Sequence, residues 1–203
     1  LAHRVKLAFA VEPVVRDFAY RHATDVRATH NRLADLLSAR AVQSGRVVQE
    51  IAHHLTMAGN PGAADQRVLD HFEGLWSEGN RGWTLSAISA AERRAHAEGN
   101  QERECRAALL EARLDADSAR YEEAILHYTA ALELAIGLGD RTTCAHIVVN
   151  RAEITGRQGR FSEAQEEFIW AIAELEALGR PSDADVARHD LAALLTRYLR
   201  LDE

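Results

Sequence analysis

The sequence predicts an all-α protein, an α-solenoid of stacked helix pairs with a period of about 40 residues. Three observations predict it. "YEEAILHYTAALELAIGLGD" at 121–140 is echoed by "FSEAQEEFIWAIAELEALGR" at 161–180, so that Glu123, Ala124, Ala131, Leu138 and Gly139 recur as Glu163, Ala164, Ala171, Leu178 and Gly179. Glycines fall at 59, 99, 139 and 179, followed by Asn60, Asn100, Asp140 and Arg180. The apolar content is rich in Ala and Leu, 6% of residues are aromatic and there are only three prolines, a composition that favours helix.

In chain order, "VKLAFAV" at 5–11 reads as a short strand, and Glu12 and Pro13 lead into a helix over "VVRDFAYRHA". "TDVRATHNRLADLLSARAV" reads as a helix capped by Thr24, with Val26, Leu33 and Leu37 on one side. A third helix follows in "VVQEIAHHLTMAGN". From there helices of roughly 16–18 residues alternate with short turns, two per period. Gly suits the left-handed residue that ends one helix, and Asn or Asp the cap that starts the next. Further breaks stand midway, at "EGNRG", "DSARY" and "QGRF". Tyr121, Ala124, Ile125, Tyr128, Ala131, Leu132 and Ala135 form one stripe at steps of three and four, and Thr84, Ile88 and Ala91 form a fainter one upstream. The final segment, "PSDADVARHDLAALLTRYLRL", is expected to be a helix capped by Ser182, with Val186, Leu191, Leu194, Leu195, Tyr198 and Leu199 as its stripe.

At these residues the chain resembles the tetratricopeptide repeat (TPR) family. In residues 144–179, Ala152, Gly159, Phe161, Ala164, Phe168 and Ala171 match the family's small, Gly, aromatic, Ala, aromatic and Ala positions. In 104–139 the matches are Ala112, Tyr121, Ala124, Tyr128 and Ala131, with Ala119 where Gly is usual and Glu111 and Arg151 where Leu is usual. The resemblance implies a right-handed α-solenoid of TPR-like helix pairs over 81–203, ending in a terminal helix, after a helical linker and weak repeat at 24–80. A second resemblance concerns the N-terminal third. Phe9, Val15, Arg16, Asp17 and Tyr20, then Ala52, His54, Ala58, Gly59 and Ala64, are similar to the junction between winged-helix domain and TPR array in bacterial STAND-type ATPase regulators. It implies that 1–23 is a winged-helix remnant or junction, and that a nucleotide-binding part precedes Leu1.

Composition narrows the function classes. A net charge of −7 and a pI near 5.8 argue against nucleic-acid binding. No apolar run approaches the roughly 18 residues of a membrane span. Lys6 is the only lysine, and no GxxxxGK[ST] phosphate loop is present. Cys105 and Cys144 are too few for a disulfide framework, so a cytoplasmic location is expected. His53 and His54 are adjacent, about 100° apart on a helix, which is poor geometry for gripping one ion, and His54 is expected to pack at the first helix junction. The two cysteines fall at helix positions that pack small apolar residues. The expectation is therefore a chain without catalytic, cofactor or metal sites.

The resemblance places a partner surface on the concave face, lined by the first helix of each pair. It selects Arg106, Leu109, Leu110 and Arg113, then Val149, Asn150, Glu153 and Arg157, then His189, Asp190 and Arg197. The arginines suit acidic side chains or a carboxylate, since guanidinium bonds in bidentate fashion. The reading is a non-catalytic protein-interaction or ligand-sensing segment of a STAND-type regulator; the alternative is a stand-alone TPR adaptor that binds a partner peptide. A terminal helix with an open face is also compatible with a homodimer.

Overall fold

The computed structural model describes residues 25–39, 44–79 and 81–201. The strand expected at 5–11, the helix at 14–23, and Thr24 lie outside the described residues. So do the junction residues Phe9, Val15, Arg16, Asp17 and Tyr20. Among the described residues the fold is all-α: ten helices, α1 Val26–Ser38, α2 Gly45–Met57, α3 Pro61–Asp70, α4 Phe72–Ser77, α5 Arg81–Glu98, α6 Gln101–Asp117, α7 Tyr121–Leu138, α8 Arg141–Arg157, α9 Phe161–Ala177 and α10 Pro181–Leu201, and no strand. The chain divides between Thr84 and Leu85, within α5, into two compact units.

In the first unit α1 packs on α2 and α2 on α3. Asp25 caps α1, its carboxylate accepting from the Ala28 N–H at 3.0 Å. The buried face of α1 is His30, Ala34 and Leu37, with Leu33 half-buried, and it meets Val47 and Ile51 of α2. Val26 stands at the first helical residue, beyond that buried run, and is 47% exposed rather than packed as the sequence suggested. The segment after Asn60 is not one long helix. It breaks at His71, whose imidazole Nδ1 lies 3.1 Å from the Arg67 carbonyl and competes for the acceptor that a continuous helix would use.

In the second unit α6 packs on α7, α7 on α8, α8 on α9 and α9 on α10. Its turns are chemically alike. The N–H after each left-handed residue bonds back five residues: Asn100 to Ala95, Asp140 to Ala135 and Arg180 to Leu175, at 2.9, 3.0 and 2.9 Å. Arg120 to Asp115 and Arg160 to Thr155 do the same at 2.8 and 3.2 Å. Such a bond closes a helix only if the residue before the donor takes positive φ. Gly159 does so at φ 82°, and Ala119 does so at φ 57° without a glycine's freedom. Asn100 and Asp140 then cap the next helices by accepting from Arg103 and Thr143, each at 3.0 Å.

Small residues dominate the core. Ala124, Ala131 and Ala135 of α7 are fully buried against Ala108, Ala112 and Cys105 of α6 and Cys144 and Ile147 of α8, with Tyr128 filling the space between. Ala152, Ala164, Phe168 and Leu194 repeat the arrangement one pair later. Two expectations for α10 are corrected. The helix starts at Pro181, so Ser182 lies inside the first turn and is not the cap; Arg180 pairs with Asp183 there instead, Nε to Oδ2 at 2.9 Å. Its buried side is Ala184, Ala187 and Leu194, while Val186 is 59% exposed and Tyr198, 40% exposed, lies against Phe161 with ring centroids 4.8 Å apart. Short residues let α10 seat closely on α9, and a stripe read from large residues alone misses that.

Candidate functional site

The eleven residues expected to form the partner surface lie on α6, α8 and α10. Their apolar members serve packing. Leu110 is buried, Leu109 is packed against the α6–α7 core, and Val149 is packed among Ala145, Leu175, Ala184 and Ala187. The polar members stay nearer solvent. Glu153, Asp190 and Arg197 line one small cleft of about 60 Å³, floored by Phe168 and Leu194. Burial, then the nearby Glu153 carboxylate, raise the Asp190 carboxyl above the usual range, with His189 opposing.

Arg157 pairs with Glu153, Nη2 to Oε1 at 2.5 Å, and lies near the Tyr121 phenol. Arg113, Asp117, Glu153 and Arg157 all act electrostatically on Tyr128, whose phenol burial pushes up to about 12. The structure thus gathers Arg113, Glu153 and Arg157 around the two tyrosines, and Glu153, Asp190 and Arg197 around the next gap. Of the remaining polar members, Asn150 is half-buried, Arg106 is exposed, and exposed His189 stands beside Asp190.

A second, larger cleft was not read from the sequence. It has a volume of about 540 Å³ and lies on α8 between α7 and α9, with Leu132, Ile136, Cys144, Val148 and Trp170 as its apolar lining. Arg141, Cys144, Val148 and Arg151 recur at steps of three and four, whereas Val149, Glu153 and Arg157 recur at steps of four on the opposite side of α8. Two ion pairs join α8 to α9 along its lining: Arg141 Nε to Glu174 Oε1 at 2.6 Å, and Arg151 Nε to Glu167 Oε1 at 2.8 Å. The available signal was Arg151, a cation on a helix stripe where an apolar residue suits the packing, together with Trp170 on the outward side of α9.

Charged residues that meet across neighbouring helices occur 40 residues apart, on α6 and α7 and again on α8 and α9. Glu111 of α6 is buried, accepts from the Ser89 hydroxyl and lies 3.6 Å from His127 Nε2 of α7. Forty residues on, Arg151 of α8 meets Glu167 of α9. The polarity is reversed and the placement is the same. His127 Nδ1 also lies 2.9 Å from Asp115, which pairs with Arg120.

The thiols and imidazoles show their own chemistry. Cys105 is buried with Sγ 3.4 Å from the Ala131 carbonyl, and burial pushes its thiol up to about 11; Cys144 is raised for the same reason. Thiolate, the reactive form, is therefore disfavoured at both. His54 is buried as expected, its Nδ1 2.8 Å from His30 Nδ1, so one ring donates and the other accepts. Burial, then His53, hold His30 below the usual imidazole value. Among the described residues no group of three or more His, Cys, Asp or Glu has the arrangement of a metal site, and no helix is long and apolar enough to cross a membrane.

Compared with known proteins, the chain matches no family model and has no significant match among curated sequences.

Proposed function

We propose that this chain is a non-catalytic, TPR-like interaction or ligand-sensing segment of a bacterial STAND-type regulator. It would act as a right-handed solenoid that holds a protein or peptide partner on its concave face. One observation carries the reading: α5, α7 and α9 begin at 81, 121 and 161, and α6, α8 and α10 at 101, 141 and 181, a spacing of 40 residues in both series. The matching turns and the matching 111/127 and 151/167 pairs support it. Helix pairs that repeat at fixed spacing bury their apolar stripes by stacking, and stacking leaves the first helices in a row for an extended partner.

The partner surface consists of Arg106, Arg113, Asn150, Glu153, Arg157, His189, Asp190 and Arg197, over a packed layer of Leu109, Leu110 and Val149. Arginine supply favours an acidic peptide or a chain terminus. The test is fluorescence polarisation with an array of acidic peptides, amidated or free at the C-terminus. Arg113→Glu combined with Arg157→Glu should weaken any peptide bound by about tenfold or more, at unchanged helicity. Unchanged affinity removes this face from the account.

The regulator and the stand-alone adaptor differ outside the chain. Coding DNA upstream of Leu1 that carries a GxxxxGK[ST] loop after a predicted strand supports the regulator. A start codon within a few residues leaves the adaptor.

A further inference from the structure

We propose that the 540 Å³ cleft between α7 and α9 is a binding site for a small organic cation, an apolar body carrying a protonated amine. The inference is independent of any partner on the concave face. The volume falls within the range of about 300–1,000 Å³ typical of small-molecule pockets. Leu132, Ile136 and Val148 offer an apolar body somewhere to leave water, and Trp170, 49% exposed, offers a ring face.

Charge selects the head group. Three carboxylates line the cleft, Glu166, Glu167 and Glu174, against two guanidiniums, Arg141 and Arg151. Both guanidiniums are already engaged, Arg141 by Glu174 and Arg151 by Oε1 of Glu167. Oε2 of Glu167 is buried without a donor. A buried acceptor left unmatched costs free energy that an incoming N–H recovers. The last torsion of a glutamate is broad and carries both oxygens together, so a small rotation of the carboxylate lets a donor entering the cleft share it with Arg151. Glu167 and Trp170 stand three residues apart on α9, on neighbouring positions of one face, so an ammonium can meet the carboxylate and the ring together. An anion would face the acidic surplus. Burial, with Arg151 opposing, also raises the Glu167 carboxyl above its usual range, so a cation that needs it ionised should bind more weakly on acidification.

Three indoles of nearly equal shape test this on the whole 203-residue chain by NMR titration: tryptamine, neutral tryptophol and anionic indole-3-propionate. Tryptamine is expected to bind with a dissociation constant of about 1 mM or tighter, the range that a dozen heavy atoms support. Tryptophol should be about tenfold weaker and indole-3-propionate undetectable. Glu167→Gln should erase the preference for charge, and Trp170→Ala should weaken tryptamine and tryptophol together. Circular dichroism of each variant should match the parent. If Glu167→Gln does not fold, Trp170→Ala and the indole series on the parent still decide. Equal binding of the three indoles, binding of none, or tryptamine binding indifferent to both variants overturns the proposal. So does a dimer in sedimentation that Trp170→Ala turns into monomer, because the cleft would then be covered by a second copy.

Discussion

Glu92 of α5 carries a proton at pH values where an exposed glutamate would not. Burial comes first, then the Glu111 carboxylate beside it, and together they push Glu92 up to about 7 from an ordinary 4.5, with His127 opposing and Glu104 adding. Between those two values the folded chain holds a proton that the unfolded chain has released. The stability from this site is therefore fully present below about 4.5 and is lost as pH rises through 7. Melting curves at pH 5 and pH 8 should differ more for the parent than for Glu92→Gln, which has no proton to lose. Equal differences would show that Glu92 and Glu111 do not share a proton in solution. Ala119 gives a second prediction at this scale. It occupies the left-handed conformation at φ 57°, where a Cβ costs roughly 1–2 kcal/mol and glycine sits without that penalty. After the extra chain entropy of glycine is subtracted, Ala119→Gly should stabilise by about 0.5–1 kcal/mol in urea titration. A loss of stability would mean that the turn is held by more than backbone geometry.

Between elements, α10 comes close to α8 at Gly156. A Cβ built there would stand 2.3 Å from Leu194 Cδ1 of α10 and 3.5 Å from Ala164 Cβ of α9. This glycine serves proximity, since it lies within a helix that an alanine would otherwise favour. Gly156→Val should cost about 2–3 kcal/mol through overpacking. Leu194→Ala, itself destabilising, should give back part of that cost in the double variant, because it removes the atoms that clash. Strict additivity of the two would place the effect of Gly156 elsewhere. The sequence marked Leu194 as apolar and Ala152 as small, yet Gly156 drew no notice: its meaning depends on which residue of α10 arrives opposite, and no local pattern states that.

For the second unit as a whole, a stack in which each helix touches mainly its sequence neighbours should lose stability in steps. Ending the chain after Arg180 removes α10 and uncovers Phe168 and Leu175. The melting temperature should fall by several degrees, while far-UV circular dichroism retains the helices up to α9. Complete loss of helicity would mean one all-or-none core and would count against the stacked-repeat reading. This prediction does not depend on what the chain binds.

Much of the helical pattern was legible because its causes are local. Positive φ at the glycines, capping by Asn60, Asn100 and Asp140, and buried stripes such as Ala124–Tyr128–Ala131 follow from backbone sterics and from spacing along one helix. The break at His71 escaped, since there a side chain and the backbone compete for one carbonyl. The sequence pattern placed the charged residues of α6, α8 and α10 on helices, but it did not state their partners. Tertiary structure alone decided that Glu153 joins Asp190 and Arg197 in one cleft, that Glu111 meets His127 where Arg151 meets Glu167, and that α7, α8 and α9 leave a cleft lined by Trp170. Those are contacts between helices, set by how closely two surfaces of small residues approach. Spacing within one helix determines which face is buried, but it carries no measure of the gap to the next.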